Sequence, residues 1–295
     1  MKTLDANLIS ARELYAGLTG AVSPRPIALV STVDANGAVN LAPFSFFNIV
    51  SANPPILVFS CVDSLRDGSS KDTLYNAEET KEVVINLVNY QMVEQTSLSS
   101  TAYPKGVNEF EKAGFTELAS LKVKAPRVAE SPVQIECSVE EIIKFGEDNG
   151  SGNLVICKVL SMHISNEILD EKDAIDPYKL DIVSRLGGSW YGRANQGLFE
   201  VAKPLSSIGI GIGALPEAVR NSEVLTGNDL GKLGNVELLP DKLAVDAYIK
   251  EDQFLQAILE KQNINELHLY AQELLQKGNI EAALCVLSVE LNNKI

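Results

Sequence analysis

The stretch Pro24–Asn48, PRPIALVSTVDANGAVNLAPFSFFN, decides how the rest of the chain is read. Pro24 and Pro26 fix φ and bias their predecessors away from helix, so Arg25 is held in extended backbone. Ile27 to Val33 follows as an almost continuous apolar, β-branched run, short enough for a strand buried on both faces. Asp34-Ala35-Asn36-Gly37 is turn chemistry, because Asp and Asn tolerate left-handed backbone and Gly adopts it without a Cβ clash. Ala38 to Leu41 then reads as the returning arm of a hairpin. Beyond it, Ala42-Pro43-Phe44-Ser45-Phe46-Phe47 crowds small residues, an imino acid and aromatics together, which predicts a ligand-cradling segment rather than a strand.

Outward from this hairpin the same grammar continues. Upstream, Ser10 to Leu18 predicts a short helix ended by Gly20. Downstream, Asn53-Pro54-Pro55 punctuates before a buried strand over Ile56 to Val62. A polar segment, Asp63 to Ser70, leads to a helix over Thr73 to Lys81 with Asp72 as its N-cap. Glu82 to Val88 reads as strand, Gln91 to Ser100 as helix, and Val107 to Ala113 as a shorter helix closed by Gly114. Val133 to Phe145 and Leu154 to Ile164 alternate apolar and polar residues around the turn 148–153, a long hairpin that suits an antiparallel barrel and not a doubly wound parallel sheet.

A boundary is expected near Lys203-Pro204, dividing residues 1–205 from a helical C-terminal extension over 206–295. Asn221 to Pro240 reads as polar and irregular. From Asp241 the apolar spacing turns helical, with Leu243, Ala247, Leu255, Ile258 and Leu259 on one face. Helices over Ile264 to Gln276 and Ile280 to Leu291, split by Lys277-Gly278-Asn279, resemble one tetratricopeptide-type repeat. A single copy cannot bury its own face, so it is expected to pack on the barrel or across a dimer. Gly209-Ile210-Gly211-Ile212-Gly213 fails as a dinucleotide motif: no long strand precedes it, Pro216 follows closely, and no βαβ acidic residue comes later.

The 295 residues carry 25 Lys and Arg against 39 Asp and Glu, a formal net charge of −14 that repels nucleic-acid phosphate and anionic lipid. Neither nucleic acid nor membrane is expected as a partner. No apolar run approaches the ~18 residues of a membrane span, and the start MKTLDANLISARELYAG has no signal-peptide core, which points to the cytoplasm. The 4 cysteines are scattered without a C-x-x-C pair and read as reduced thiols. Only 2 histidines are present, so histidine bases and multi-histidine metal sites have little material. No metal site is expected.

RPIALVSTVDANG and NLAPFSFFN, followed in order by SSKDT (Ser69 to Thr73), EVVINLV (Glu82 to Val88) and RLGGSWYGR (Arg185 to Arg193), resemble flavin reductase-like proteins with an FMN-binding split barrel. The resemblance spans about the first 205 residues. It implies a mainly β, α+β fold: a split barrel of antiparallel strands with flanking helices, here with the helical extension added. It also implies a homodimer that binds FMN and passes electrons from NAD(P)H to flavin or a small acceptor. In that chemistry the cofactor carries the reaction, so no catalytic side chain is expected. The alternatives are an FMN electron carrier reduced by a redox partner protein, and a docking protein that acts through its helical tail.

For the phosphate, Ser69, Ser70, Lys71, Asp72 and Thr73 precede a helix, where free amides, the helix dipole, a cation and hydroxyls gather. On residue chemistry alone the same segment is an ordinary helix start with a solvated lysine; the resemblance favours phosphate. Arg25 is a fixed cation between prolines that the resemblance places close to the cofactor. The ring is expected along Asn40 to Asn48. There Asn40 opens the cofactor-binding stretch, Ala42 and Pro43 offer backbone groups, and Ser45 and Asn48 offer side-chain hydrogen bonds. Ser60 and Cys61 end the next strand beside the same place. Trp190, after Gly187-Gly188-Ser189, covers the flavin or else is an ordinary core residue. Arg193 is a further candidate for a nicotinamide cofactor's phosphate, and His163 reads as structural.

Overall fold

The structure, a computed structural model, describes residues 1–201 and 208–292, with 290–292 as backbone only. It falls into two compact units, Met1–Leu198 and Phe199–Ile295. The expected boundary at Lys203-Pro204 lies outside the described residues.

The first unit opens with helix α1 (Ala11–Ala21), where Ser10 and Glu13 make a reciprocal capping box. Strands β1 (Arg25–Pro26), β2 (Ala28–Val33), β3 (Val39–Phe44), β4 (Phe47–Ala52) and β5 (Pro55–Val62) follow. Next come helix α2 (Asp72–Thr80), strand β6 (Glu82–Leu87), and helices α3 (Val93–Ser99) and α4 (Glu109–Ala113). Short strands β7 (Glu117–Leu118) and β8 (Arg127–Val128) precede the long hairpin of β9 (Val133–Lys144) and β10 (Gly152–Ile164). A turn of helix, α5 (Pro177–Leu180), leads to β11 (Val183–Arg185) and β12 (Tyr191–Arg193).

Seven strands form one antiparallel sheet in the order β3-β2-β6-β9-β10-β5-β4, beside a three-stranded β1-β11-β12 sheet and the β7-β8 pair. All of β2 is buried, as its unbroken apolar run predicts. Its alternation explains why: Ala28 and Val30 face a core with Phe44, Phe59, Ile85, Val155 and the α2 residues Leu74 and Ala77. Ile27 and Leu29 face the opposite way, against Leu41, Met92 and Phe110. The strand is sandwiched between two apolar layers.

The stretch Ala42-Pro43-Phe44 corrects an expectation, because it is strand and not an irregular cradle. β3 ends the sheet order, and the Leu41 N–H points outward to Glu109 Oε2 at 2.9 Å. By alternation the N–H that Pro43 lacks would also face this free edge, so no ladder bond is lost. Helix α2 starts one residue earlier than expected, with Lys71 and not Asp72 as its N-cap.

The second unit is built from α6 (Glu217–Arg220), α7 (Gly227–Gly234), α8 (Lys242–Glu251), α9 (Gln253–Lys261), α10 (Ile264–Gln276) and α11 (Ile280–Asn292). Its core joins Leu233, Val245, Leu255, Ile258, Leu275 and Val286. The α10–α11 hairpin therefore buries its face against the helices that precede it. Asn221 to Pro240 is not wholly irregular: Thr226 and Asp229 form a capping box that starts α7. The helical face expected from Asp241 onward is broken at Asp252, which caps α9, so Leu243 stands 81% exposed while Leu255 and Ile258 are buried. Gly209 and Gly234 serve close backbone packing, since a Cβ on Gly209 would lie 2.8 Å from the Gly234 carbonyl oxygen.

Cys61, Cys137, Cys157 and Cys285 are all free and buried. Among the described residues, no helix is long and apolar enough to cross a membrane.

Candidate functional site

One end of the barrel, where β3, the end of β5 and the start of α2 converge, gathers many of the expected residues. Asn40 Nδ2 donates to Thr73 Oγ1 at 2.8 Å and to Thr32 Oγ1 at 3.2 Å, and Asn76 Nδ2 donates to the same Thr32 oxygen at 3.0 Å. All four side chains are buried. Asn40 and Thr73 therefore lock β3 to the first turn of α2 and do not present side-chain hydrogen bonds outward. Above this lock, Lys71 caps the helix in extended backbone without a side-chain cap bond, and its own side chain is exposed. The early amides of α2, with Asp72 and Thr73 first, are left without a side-chain acceptor.

The preceding loop is satisfied internally. Ser70 Oγ donates to Asp63 Oδ1 at 2.5 Å, and Asn153 Nδ2 ties the same carboxylate, at 3.2 Å, to the Cys61 carbonyl, at 3.0 Å. Ser69 Oγ donates to Asp67 Oδ1 at 2.7 Å. Hydrogen bonds from Ser69 and Ser64 hold the Asp67 carboxyl far below the usual carboxylate range. Neither serine hydroxyl is free to donate to a ligand in this arrangement; the Lys71 side chain is exposed, Asp72 is half-buried and Thr73 is fully buried. Glu109 is a neighbour that sequence reasoning missed. Burial pushes its carboxyl up, its bond to the Leu41 amide pulls it down, and Asp72 and Lys71 act on it in opposite senses. Nothing in the local pattern of Glu109 signals this, although Pro43 does signal an edge strand in need of a cap.

Ala42 is packed into the barrel interior beside Phe44, and its backbone pairs with Val30. The carbonyls that alternation turns to the free edge are those of Leu41 and Pro43. Ser45 and Phe46 form the β3–β4 connection, and the Ser60 amide donates to the Phe46 carbonyl at 2.9 Å, which sets Ser60 opposite Phe46. Asn48 is exposed, with Oδ1 accepting from the Ile49 amide at 2.8 Å. Cys61 points into the core, where burial drives its thiol far up. It is packing, not a ligand.

Arg25 and Trp190 belong to a second group. Arg25, only 8% exposed, donates from Nη1 to the carbonyls of Thr19 and Val22, both at 2.5 Å, and from Nη2 to that of Leu186 at 3.2 Å. Its guanidinium lies 5.7 Å from the Phe46 ring centroid. The expected fixed cation is thus a clamp that holds α1 to the β11–β12 connection. Gly187 permits this approach, because a Cβ there would lie 2.9 Å from Gly20 Cα. Trp190 sits on that connection at 77% exposure, so it is not a core residue. Arg193 is engaged bidentately by Asp181 at 2.8 and 2.6 Å and stacks 3.9 Å over Tyr90, which removes it as a phosphate ligand. His163 pairs with Glu136 at 2.7 Å.

Of the expected residues, Lys71, Asn48 and Trp190 stand exposed and Ser45, Ser60 and Asp72 half-buried; Lys71 at the start of α2 is the exposed shelf. A cavity of about 730 Å³ lies elsewhere, between the Asp34–Gly37 turn and Glu117–Pro126. A smaller one of about 200 Å³ is lined by Tyr90, Glu94, Ser97, Tyr191 and Arg193. Neither contains a residue of the shelf.

Residues 20–179 match the family model described as flavin reductase like domain. The chain belongs to the flavin reductase-like family. An uncharacterised protein of Halalkalibacterium halodurans is 38% identical over 206 residues, 69% of this chain and 97% of its own. The solved nitrilotriacetate monooxygenase component B from Bacillus cereus is 32% identical, with a TM-score of 0.64, covering 68% of this chain and 98% of that one. A Shewanella frigidimarina protein described as a flavin reductase with a split barrel domain covers 69% of this chain and 100% of its own, at 23% identity and a TM-score of 0.58. The first unit is accordingly a flavin reductase-like split barrel, and a flavin is the cofactor its family implies. The shelf fits a flavin phosphate in part: an uncapped helix start beside an exposed lysine suits an anion, whereas Arg25, Ser69 and Ser70 are already engaged.

Proposed function

We propose that the first unit binds FMN and acts as an oxidoreductase that takes electrons from NAD(P)H and delivers them to flavin or a small acceptor. The observation that carries this reading is the uncapped start of α2 beside Lys71, held rigid from beneath by the Asn40–Thr73 bond. The Lys71 charge and the amides of Asp72 and Thr73 bind the phosphate, where the helix dipole adds to the attraction. The free-edge carbonyls of Leu41 and Pro43, with Ser45 and Ser60 nearby, accept from and donate to the ring edge and ribityl chain. Trp190 limits access of water from the β11–β12 side. When bound, the flavin supplies the hydride and electron chemistry, so the chain need only bind, orient and exclude water.

A homodimer completes this reading. Ile49 and Val50 stand 65% and 59% exposed on β4, the last strand of the sheet, where a second copy would cover them. The likeness to a monooxygenase component supports delivery of reduced flavin to a separate protein.

Titrating FMN into apo-protein tests the site. Lys71→Ala is expected to weaken binding about tenfold, roughly 1.4 kcal/mol, as for loss of one charge-assisted contact. Unchanged affinity excludes the α2 shelf. Anaerobic addition of NADH or NADPH to the FMN-loaded protein is expected to bleach the flavin band. Bleaching that needs an added redox protein would make the chain an electron carrier.

A further inference from the structure

Away from the shelf, Glu136 on β9 has a side chain with 0% exposure. A buried carboxylate is costly unless saturated with donors, and this one is. Its oxygens accept the amides of Leu121 at 2.9 and 3.0 Å, Lys122 at 2.5 Å and Val123 at 3.2 Å. His163 Nε2, from the neighbouring strand β10, meets Glu136 Oε1 at 2.7 Å. On β6, Glu82 accepts the next amide, that of Lys124, at 2.8 Å. Four consecutive amides thus turn toward two carboxylates, a backbone nest filled by the chain's own anions.

The segment between β7 and β8 has no strand ladder of its own. Its other ties are the bond from Ser120 Oγ to the Ala125 carbonyl at 2.6 Å, those from Arg127 to the Ala119 carbonyl at 3.2 and 2.8 Å, and, at its end, the buried Ala125 and the bond from Ser31 Oγ on β2 to the Pro126 carbonyl. Ala119, Ser120, Val123 and Lys124 form one wall of the cavity of about 730 Å³, and the Asp34–Gly37 turn forms the other.

We propose that Glu136, steadied by His163, is an acid-sensitive latch that holds residues 119–125 as a movable wall of this cavity and releases them when the carboxylate is neutralised. A neutral carboxyl or carboxamide keeps one acceptor for the amides that converge on Oε2, but it loses the charge and turns a donor toward His163 and the Leu121 amide at the Oε1 position, which weakens the hold on the nest. The titratable and charged groups on Glu136's own strand and the elements packed against it are Cys137 on β9, His163 on β10, Glu82 on β6, Lys122 and Lys124 in the segment itself, and Arg127 on β8. Arg127 is engaged by Gln134 as well as Ala119. Only His163 bonds the carboxylate directly.

Burial alone would raise the Glu136 carboxyl, but the amide and His163 bonds outweigh it and leave it low. A lowered folded value means the stabilisation is full above the unfolded value, near ~4.3, and is lost as pH falls through the folded one.

Hydrogen exchange read by mass spectrometry tests the latch. At neutral pH, Glu136→Gln is expected to speed exchange in the peptide covering 119–125 at least tenfold while the β9 and β10 peptides stay protected. In the wild type, protection corrected for intrinsic rates is expected to fall in that peptide first as pH is lowered. His163→Gln is expected to move the release to higher pH. If the segment and the sheet lose protection together, or the segment keeps its protection in Glu136→Gln, the latch is excluded. Should Glu136→Gln not fold, the wild-type pH series decides alone.

Discussion

Arg25 commits its guanidinium to three backbone carbonyls, and that commitment defines its role. The fork geometry serves carbonyls from both α1 and the β11–β12 connection, which a lysine ammonium cannot reach together. Arg25→Lys is expected to cost about 1–3 kcal/mol, since buried carbonyls lose their donors; the shift of the urea midpoint measures it. The barrel thiols are governed by burial in the same way. Burial and the neighbouring Glu136 push Cys137 up to about 12, and Cys61 and Cys157 are raised by burial as well. A thiol reagent at pH 8 is expected to leave all three unmodified in the native protein and to label them on unfolding. Prompt native-state labelling would show that the interior opens to solvent.

At the scale of elements, caps and edges decide what each piece does. Helix α7 begins at a complete Thr226–Asp229 capping box, and Gln272 Nε2 donates to the same Asp229 carboxylate at 2.9 Å. Thr226→Ala is expected to cost about 1 kcal/mol, measured as a lower chemical-denaturation midpoint of the helical unit. Helix α2 has no such side-chain cap, and this difference is what makes its start the anion-binding candidate. At the junction of α1 with the β11–β12 connection, Gly187→Ala would drive a Cβ to 2.9 Å from Gly20 Cα, backbone against backbone. A cost of about 1–3 kcal/mol is expected there, seen as a lower melting temperature with the β9–β10 exchange pattern unchanged.

Across the whole molecule, two apolar clusters lie within the first unit and one within the second, which predicts two folding units. A fragment of residues 1–198 is expected to melt cooperatively and to keep whatever flavin affinity the full chain has. Light scattering of the full chain is expected to give about twice its 31.9 kDa mass, and Ile49→Asp to shift it toward the monomer. A monomeric wild type would remove β4 as an interface.

The strands around Asp34–Gly37, the long β9–β10 hairpin and the terminal helices were legible in the chain because each follows from neighbours in sequence: proline and glycine backbone limits, two-residue alternation, helical spacing. The family was legible for the same reason, as local words in order. Which polar groups stand free was not legible. Arg25 is quenched by Leu186, Asn40 by Thr73, Ser70 by Asp63 and Arg193 by Asp181, and the strand character of Ala42-Pro43-Phe44 depended on β3 ending a sheet. Local backbone preference is written residue by residue, whereas the availability of a donor or an edge depends on what the fold sets across from it. The sequence determined a flavin reductase-like barrel with a helical extension; only the tertiary structure decided that Arg25, Ser69 and Ser70 are engaged within the chain while the Lys71 side chain stays exposed, because what stands across from a donor is set by the fold.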